Sequence, residues 1–384
     1  MPEGRKLRWR NIMNIQADTA AYETWLKTQG PVVLKDMEFK HSQMADSLFP
    51  FLRATFYRSC RLWPEVCPEL ITAPTLLAVG DLHVENFGTW RDAEGRLVWG
   101  LNDADEAQVM PYPLDLVRLT ASALIALDDH ALSPGDIAGA ILEGYEEGLT
   151  EGWPFVLEEN HGWLRELALG ELRDPRRFWE KLTATRKSDP PDPDPGPEIR
   201  ALLNAHLPAG AELRRIAPRV AGLGSLGRRR FVAVATFGGA AVAREVKALY
   251  PSAWSWTQGT AATPIRCGDL VAAAVRCPDP FLAYPLSPDR LSGWVVRRLA
   301  PHCTRVELAT LPHRRDDRQM LRAMGRETAN IHLGSGPAPT ATVRADLRHR
   351  PEHWLRDAAE AMAEATRADW KAWRERPRPD AKPG

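Results

Sequence analysis

The stretch VAGLGSLGRRRFVAV, Val220 to Val234, spaces Gly222, Gly224 and Gly227 as G-x-G-x-x-G and then enters β-rich sequence. Glycines at that spacing let the backbone approach a bound group closely, because no Cβ stands in the way. In a dinucleotide-binding unit the same glycines open a helix. Here they open a strand, which excludes that architecture. RRFVAVATFGGAAVAREVKAL, Arg229 to Leu249, gives two strand-forming runs around Gly238-Gly239, a favourable hairpin turn. Lys247 stands near the end of the second run. Turn amides that can approach phosphates, with a lysine on the hairpin behind them, form a phosphate-holding unit. Taken alone, the glycines also fit a merely flexible turn.

A second polar constellation lies far upstream. TLLAVGD, Thr75 to Asp81, is a short apolar run feeding a loop, and VGDLHVENFGTW packs Asp81, His83, Glu85 and Asn86 together. RLVWGLND, Arg96 to Asp103, is another such strand, and it runs into LNDADEA with Asp103 and Asp105. The turn residues DAEG, Asp92 to Gly95, suggest that these two strands pair as a hairpin. Phosphoryl transfer needs a carboxylate to orient or deprotonate the attacking group, and oxygen ligands for Mg²⁺. Asp81, Asn86 five residues on, and an acid at the end of the following strand supply both. Two plainer readings fit the loop alone: a turn rich in polar caps, or a hydrolase metal site on Asp81 and His83.

The rest of the chain is mixed in character. His41 to Cys60 carries Met44, Leu48, Leu52 and Phe56 at steps of four, a helical stripe with Pro50 as an early break. Leu114 to Leu127 and Pro134 to Leu149 read as helices. KSDPPDPDPGPE, Lys187 to Glu198, is too rich in proline for regular structure and reads as an exposed linker. GWVVRRL, Gly293 to Leu299, reads as a further strand; Arg318 to Gly334 and Pro351 to about Arg374 read as helices. The expected fold class is α+β, a small antiparallel β lobe with one helix beside a larger, mostly helical lobe. Its expected units are an N-terminal helical segment (1–75), a catalytic core (76–186), the linker (187–198), the β lobe (199–300), returning helices (301–374) and a disordered tail (375–384).

Charge is balanced, 50 basic against 50 acidic residues, which gives no push toward nucleic acid or an anionic membrane. Short basic clusters such as Arg228 to Arg230 read as solvated faces. Five cysteines with no C-x-x-C spacing argue against a disulfide framework or a structural zinc site. The N-terminal MPEGRKLRWRNI lacks the apolar core of a secretory signal, and no apolar run reaches the roughly 18 residues of a membrane span. A soluble, cytoplasmic protein is expected.

GDLHVENFG matches the GD-x-H-x-x-N loop common in aminoglycoside-phosphotransferase-like kinases. Together with LNDADEA and the PLDLVRL after it, GLGSLG with Lys247, DPFL (Asp279 to Leu282) and GWVVRRL, it makes the chain resemble the bacterial family called domain of unknown function 2252, from about Phe39 to Leu333. The resemblance implies a two-lobed, protein-kinase-like fold that uses ATP and Mg²⁺. In ordinary kinases the glycine turn, the lysine, an acid-bearing helix and the hinge precede the catalytic loop. Here they follow it, so the resemblance implies a circular permutation, which requires the helix ending near Ile331 to pack beside the strand leading into Asp81.

Two positions depart from the pattern. Ala104 stands where the family tends to have a bulky Phe. Asp269, in CGDLVAAAVRC, stands where kinases use a Glu to hold the lysine, and an Asp in a first helical turn is also favoured by the helix dipole alone. Asp115 in PLDLVRL is expected to brace the backbone amides of the Asp81 loop. Arg118, one turn on, reads as its partner or as a surface charge.

The combined reading is ATP- and Mg²⁺-dependent phosphoryl transfer to a small molecule. Asp81 is the expected base or orienter with His83 beside it; Asn86 and Asp103 or Asp105 are expected to hold the metal. Lys247, steadied by Asp269, is expected to hold phosphates that Gly222, Gly224, Ser225 and Gly227 cover. No activation segment with a phosphosite stands between the metal Asp and the next helix, which favours a small acceptor, and the acidic run could favour a cationic one. Two other classes use the same residues: a non-catalytic nucleotide-binding regulator, and a transferase that moves AMP or activates a carboxylate. Nucleic acid and membranes are not expected partners.

Overall fold

The computed structural model describes residues 14–128, 132–159, 161–171, 174–183, 194–259, 262–303 and 314–376. Four helices come first, α1 (Ile15–Gln29), α2 (Leu34–Asp46), α3 (Leu48–Ala54) and α4 (Phe56–Val66). Short strands β1 (Thr75–Ala78), β2 (Phe87–Arg91), β3 (Leu97–Leu101) and β4 (Gln108–Pro111) lead into α5 (Pro113–Ala126) and α6 (Pro134–Thr150). Then come β5 (Phe155–Val156), α7 (Gly162–Glu171), α8 (Pro175–Thr183) and α9 (Gly196–His206). A second β region holds β6 (Glu212–Pro218), β7 (Arg230–Phe237), β8 (Ala240–Leu249), α10 (Ala253–Thr257), α11 (Cys267–Ala273) and β9 (Gly293–Leu299). Helices α12 (Arg314–Leu333), α13 (Pro337–Leu347) and α14 (Trp354–Arg374) follow. The fold is mixed α+β with small antiparallel sheets and no barrel.

The largest sheet has the order β6-β7-β8-β9, antiparallel throughout. Its β7–β8 turn uses Gly238 and Gly239, both at positive φ (56° and 80°), the backbone that a tight two-residue hairpin requires. The two smaller sheets depart from the sequence reading. The strand from Thr75 does not pair with the strand ending at Leu101: β1 pairs with β4, and β3 pairs with β2 and β5. The reason is local. Asp92 Oδ1 accepts from the amides of Glu94 (3.0 Å) and Arg96 (2.9 Å), so the DAEG turn joins β2 to β3. β2 itself, FGTWR, lies inside what the sequence presents as a loop.

The helical stripe from His41 to Cys60 is interrupted at Ser47 and Thr55 rather than at Pro50. Pro50 sits in the first turn of α3, where its missing N–H costs nothing. The Pro-rich segment extends less far than expected, because Gly196 to Glu198 already belong to α9. Residues 187–193 of that segment, and the tail from Pro377, lie outside the described residues.

Helix α5 is the axis of the larger half: every residue from Pro113 to Ile125 is buried. Helix α6 meets α12 at backbone distance. A Cβ on Gly144 would strike the carbonyl of Arg322, and one on Gly325 would strike that of Ile141. So placed, α12 supports both polar loops. Glu327 Oε1 accepts from the Leu101 amide (3.0 Å) at the end of β3. Just past α12, Ser335 Oγ accepts from the Leu77 amide (2.9 Å) in β1. The end of this helix therefore lies against the strand that leads into Asp81.

Candidate functional site

The loop after β1 is held from beneath. Asp115, in the first turn of α5 and fully buried, accepts from the amides of Val79 (2.7 Å) and Gly80 (2.8 Å). His332 Nε2 lies 3.0 Å from the same carboxylate, and His332 Nδ1 lies 2.8 Å from the Tyr145 hydroxyl. Arg118 does not pair with Asp115 and is not on the surface. It is buried and donates from Nε (2.8 Å) and Nη2 (2.5 Å) to Asp81 Oδ1. Further bonds to Leu52 O (2.9 Å) and Ser59 Oγ (2.7 Å) fix the guanidinium against α3 and α4. Asp81 Oδ2 remains on the side of Gly224, where a Cβ would stand 3.1 Å from it.

Asn86 ties the two acidic loops together. Its Nδ2 donates to the carbonyls of Asp81 (3.2 Å) and Asp103 (2.8 Å). The Asn86 carbonyl accepts from the Asn102 amide (2.9 Å). His83 is buried beside this loop with its ring edge-on to Phe49.

Lys247 comes from β8, opposite Arg230 on β7 and Val295 on β9. Its ammonium is buried and bonds Asp103 Oδ2 (2.8 Å) while pairing with Asp105 Oδ2. Two carboxylates sharing one lysine cannot both ionise easily. Burial and the Asp103 charge push Asp105 up to about 7. Burial opposes ionisation of Asp103 too, but the Lys247 charge outweighs it and holds that carboxyl well below the usual range.

The glycine turn between β6 and β7 places Gly222 (φ 74°) and Gly227 (φ 95°) in the left-handed region, with a single 3-10 turn, Leu223–Ser225, between them. Ser225 Oγ accepts from Arg230 Nη2 (2.8 Å). Helix α2 fastens the turn. The Val33 amide donates to Gly227 O (2.8 Å), Lys40 Nζ donates to Gly224 O (3.2 Å), and Met37 fills the space a Gly227 side chain would need.

Two cavities share Gly222 as a wall. The inner one, about 60 Å³, is lined by Asp81, Asn86, Asp103, Gly224, Lys40 and Tyr57, among others. The outer one, about 360 Å³, runs from Gly222 and Asn102 past Trp90 and Leu101 to Leu282 and Leu299.

The structure thus brings together Asp81, His83, Asn86, Asp103, Asp105, Gly222, Gly224, Ser225 and Lys247, with Gly227 closing the turn. Asp269 stands apart. It is held by Arg266 (2.6 Å) and Arg290 (2.7 Å), and the place expected for it at Lys247 is taken by Asp103 and Asp105. The Arg228–Arg230 cluster is not a solvated face either. Arg228 is buried against Glu106 (2.7 Å), and Arg230 against Glu245 (2.8 Å). Glu245 is fully buried and also binds Arg297 (2.7 Å) and Arg219. Neither Glu245 nor Lys40 stood out in the sequence, since their partners lie far along the chain or on adjacent strands. Arg118 did carry a signal: the one cation in PLDLVRLTASALIA, a largely apolar segment, has to find a buried partner.

All five cysteines are free. Among the described residues no three His, Cys, Asp or Glu side chains converge as a metal cage, and no helix is long and apolar enough to cross a membrane.

Fold and cleft together define a mixed α+β protein in which two acidic loops, a glycine turn and a strand lysine meet at one place. The profile of the family "Uncharacterized protein conserved in bacteria (DUF2252)" matches residues 33–153 and 199–376, and the chain belongs to this family. No curated protein and no solved structure matches the chain.

Proposed function

We propose that this protein is an ATP- and Mg²⁺-dependent phosphotransferase with a circularly permuted, protein-kinase-like fold, acting on a small molecule. One juxtaposition carries the reading: Lys247 Nζ on the β sheet lies 2.8 Å from Asp103 Oδ2, beneath the glycine turn and beside the Asp81 loop. The contact of Ser335 with Leu77 supports the permuted order, because it brings the end of the helix next to the strand that would follow it in an unpermuted chain.

In this reading the nucleotide occupies the outer cavity, its base against Leu282 and Leu299 and its phosphates toward Gly222, the wall shared with the cavity of Asp103, to which Lys247 is bonded. The oxygen donors at hand fit Mg²⁺, which is commonly held by one or two carboxylates plus substrate phosphates rather than by a full protein cage. Asn86 and Asp103 would hold it. Asp103 is 38% exposed, whereas Asp105, at 9%, is wedged between Lys247 and Arg228. When bound, the ion would neutralise charge on the transferred group. Arg118 occupies one oxygen of Asp81 and leaves Oδ2 to face the acceptor hydroxyl.

Incubation of the protein with Mg²⁺, ATP and a pool of small-molecule alcohols as acceptors, followed by identification of the nucleotide product, tests the proposal. ADP is the expected product. AMP would assign the site to nucleotidyl transfer or carboxylate activation, and unchanged ATP would assign it to a binding role.

A further inference from the structure

The inner cavity has an unequal distribution of spare charge. Five carboxylates line it, and each has a cation of its own or shares one. Asp81 has Arg118, Glu85 has Arg53, Glu106 has Arg228, and Asp103 with Asp105 share Lys247. Lys40 lines the same cavity and, among the described residues, forms no ion pair. It is 5% exposed, and its one hydrogen bond, to the Gly224 carbonyl, is 3.2 Å long. Its Nζ also lies 6.0 Å from the centroid of the Tyr57 ring, a weak contact at that distance, and an ammonium carries three N–H donors, so this cation has no strong partner in its buried place beside Asp81. Burial accordingly pushes Lys40 down to about 8. The charges of Glu23, Asp81 and Glu106 offset that only in part, and a buried cation with no carboxylate in contact is costly unless a ligand pairs with it.

We infer that the acceptor is a small alcohol carrying an anionic group, a carboxylate or a phosphate, and that Lys40 pairs with this group while the hydroxyl faces Asp81. The inference rests on the phosphotransferase reading and names its substrate class. It reverses the expectation of a cationic acceptor, because the acidic run is already neutralised from within. In the transfer step the hydroxyl oxygen bonds to the γ-phosphorus. The bond from that phosphorus to the β,γ-bridging oxygen breaks, the hydroxyl proton passes to Asp81 Oδ2, and ADP leaves with the bonding pair. Lys40 acts as a positioning residue, since it touches the far end of the acceptor and not the reacting atoms.

Calorimetric titration of the full chain without nucleotide tests this, with D-glycerate as the anionic probe and glycerol and ethanolamine as the neutral and cationic ones. D-glycerate is expected to bind roughly tenfold or more tightly than the other two, with the preference abolished in Lys40→Gln and partly kept in Lys40→Arg. The ¹³Cε resonance of Lys40 in the unaltered protein should shift on adding D-glycerate, a readout that does not depend on a variant folding. Ethanolamine binding more tightly than D-glycerate, D-glycerate binding unaffected by Lys40→Gln, or a Lys40 resonance that does not move would each overturn the inference. Lys40-dependent D-glycerate binding in a protein that makes no ADP would keep the anion site and remove the phosphotransferase reading.

Discussion

Lys247 and Asp103 are 144 positions apart in sequence, yet their side chains meet at 2.8 Å. Replacing Lys247 with Met leaves Asp103 and Asp105 facing each other with no shared cation. Affinity for ATP should fall roughly tenfold or more, because its phosphates lose the ammonium they would pair with. Calorimetric titration with the nucleotide measures this, and unchanged affinity would remove Lys247 from the phosphate site.

Asp81→Asn should lower turnover by roughly 10²–10⁴-fold, the usual contribution of a positioned general base. Nucleotide affinity should be retained, because Asp81 faces the inner cavity and not the outer one. Full ADP release in this variant would take Asp81 out of the mechanism.

Gly224→Ala probes how closely the turn approaches the acid. Gly224 is not at positive φ, so the new methyl meets its cost only in contact with Arg53 O and Asp81 Oδ2, each 3.1 Å from the Cβ position. Overpacking of this kind costs about 1–3 kcal/mol, a small change in melting temperature for a chain of this size. Turnover should fall far more than stability does. Equal activity in the two proteins would show that the turn need not press on Asp81.

Glu245→Gln leaves Arg219, Arg230 and Arg297 without their common carboxylate. The expected loss at neutral pH is about 3–5 kcal/mol, the range for breaking a buried pair. Burial disfavours the Glu245 carboxylate, but the charges of Arg230 and Arg297 prevail and hold its pKa far below the ordinary value. The folded state therefore binds fewer protons than the unfolded one in acid. The Glu245 contribution is complete above the unfolded carboxylate's value near ~4.3 and is lost as pH falls below it. Unfolding monitored from neutral to acid pH should show a shallower decline for Glu245→Gln than for the parent protein.

His302 gives the opposite kind of group. Burial, with Arg298 and Arg91 nearby, pushes it down to about 4. Unfolded, it titrates near ~6.5, so between these values the unfolded chain takes up the proton and the folded chain refuses it. Stability should decline as pH falls from about 6.5 toward about 4, and His302→Asn should reduce that decline in the same window.

Sequence made the site's donors legible but not its wiring. Asp81, Asn86, Asp103 and Lys247 announced themselves through spacing, because a loop at a strand end and a turn before a hairpin are local patterns. Asp115 reads as a brace for the amides of the Asp81 loop through the resemblance and its place at a helix start; that the amides are those of Val79 and Gly80 is seen only in the fold. Asp269 misled for a physical reason: it lies three residues from Arg266, and a short side chain satisfied locally does not reach out to Lys247. The pairing of β2 with β3 was hidden because the turn residues fit either of two strands. Lys40 could not be found from sequence at all, since its partner Gly224 is 184 positions away.

The attachment of the glycine turn to α2 gives the outer surface a line to the interior. Val33, the residue before α2, and Lys40 within it grip the turn, while Leu34, 60% exposed, and Phe39, 47% exposed, of the same helix meet solvent. The turn cannot lift off Asp81 without giving up both of those bonds, so the glycine roof and two solvent-facing apolar side chains share one helix as their common support.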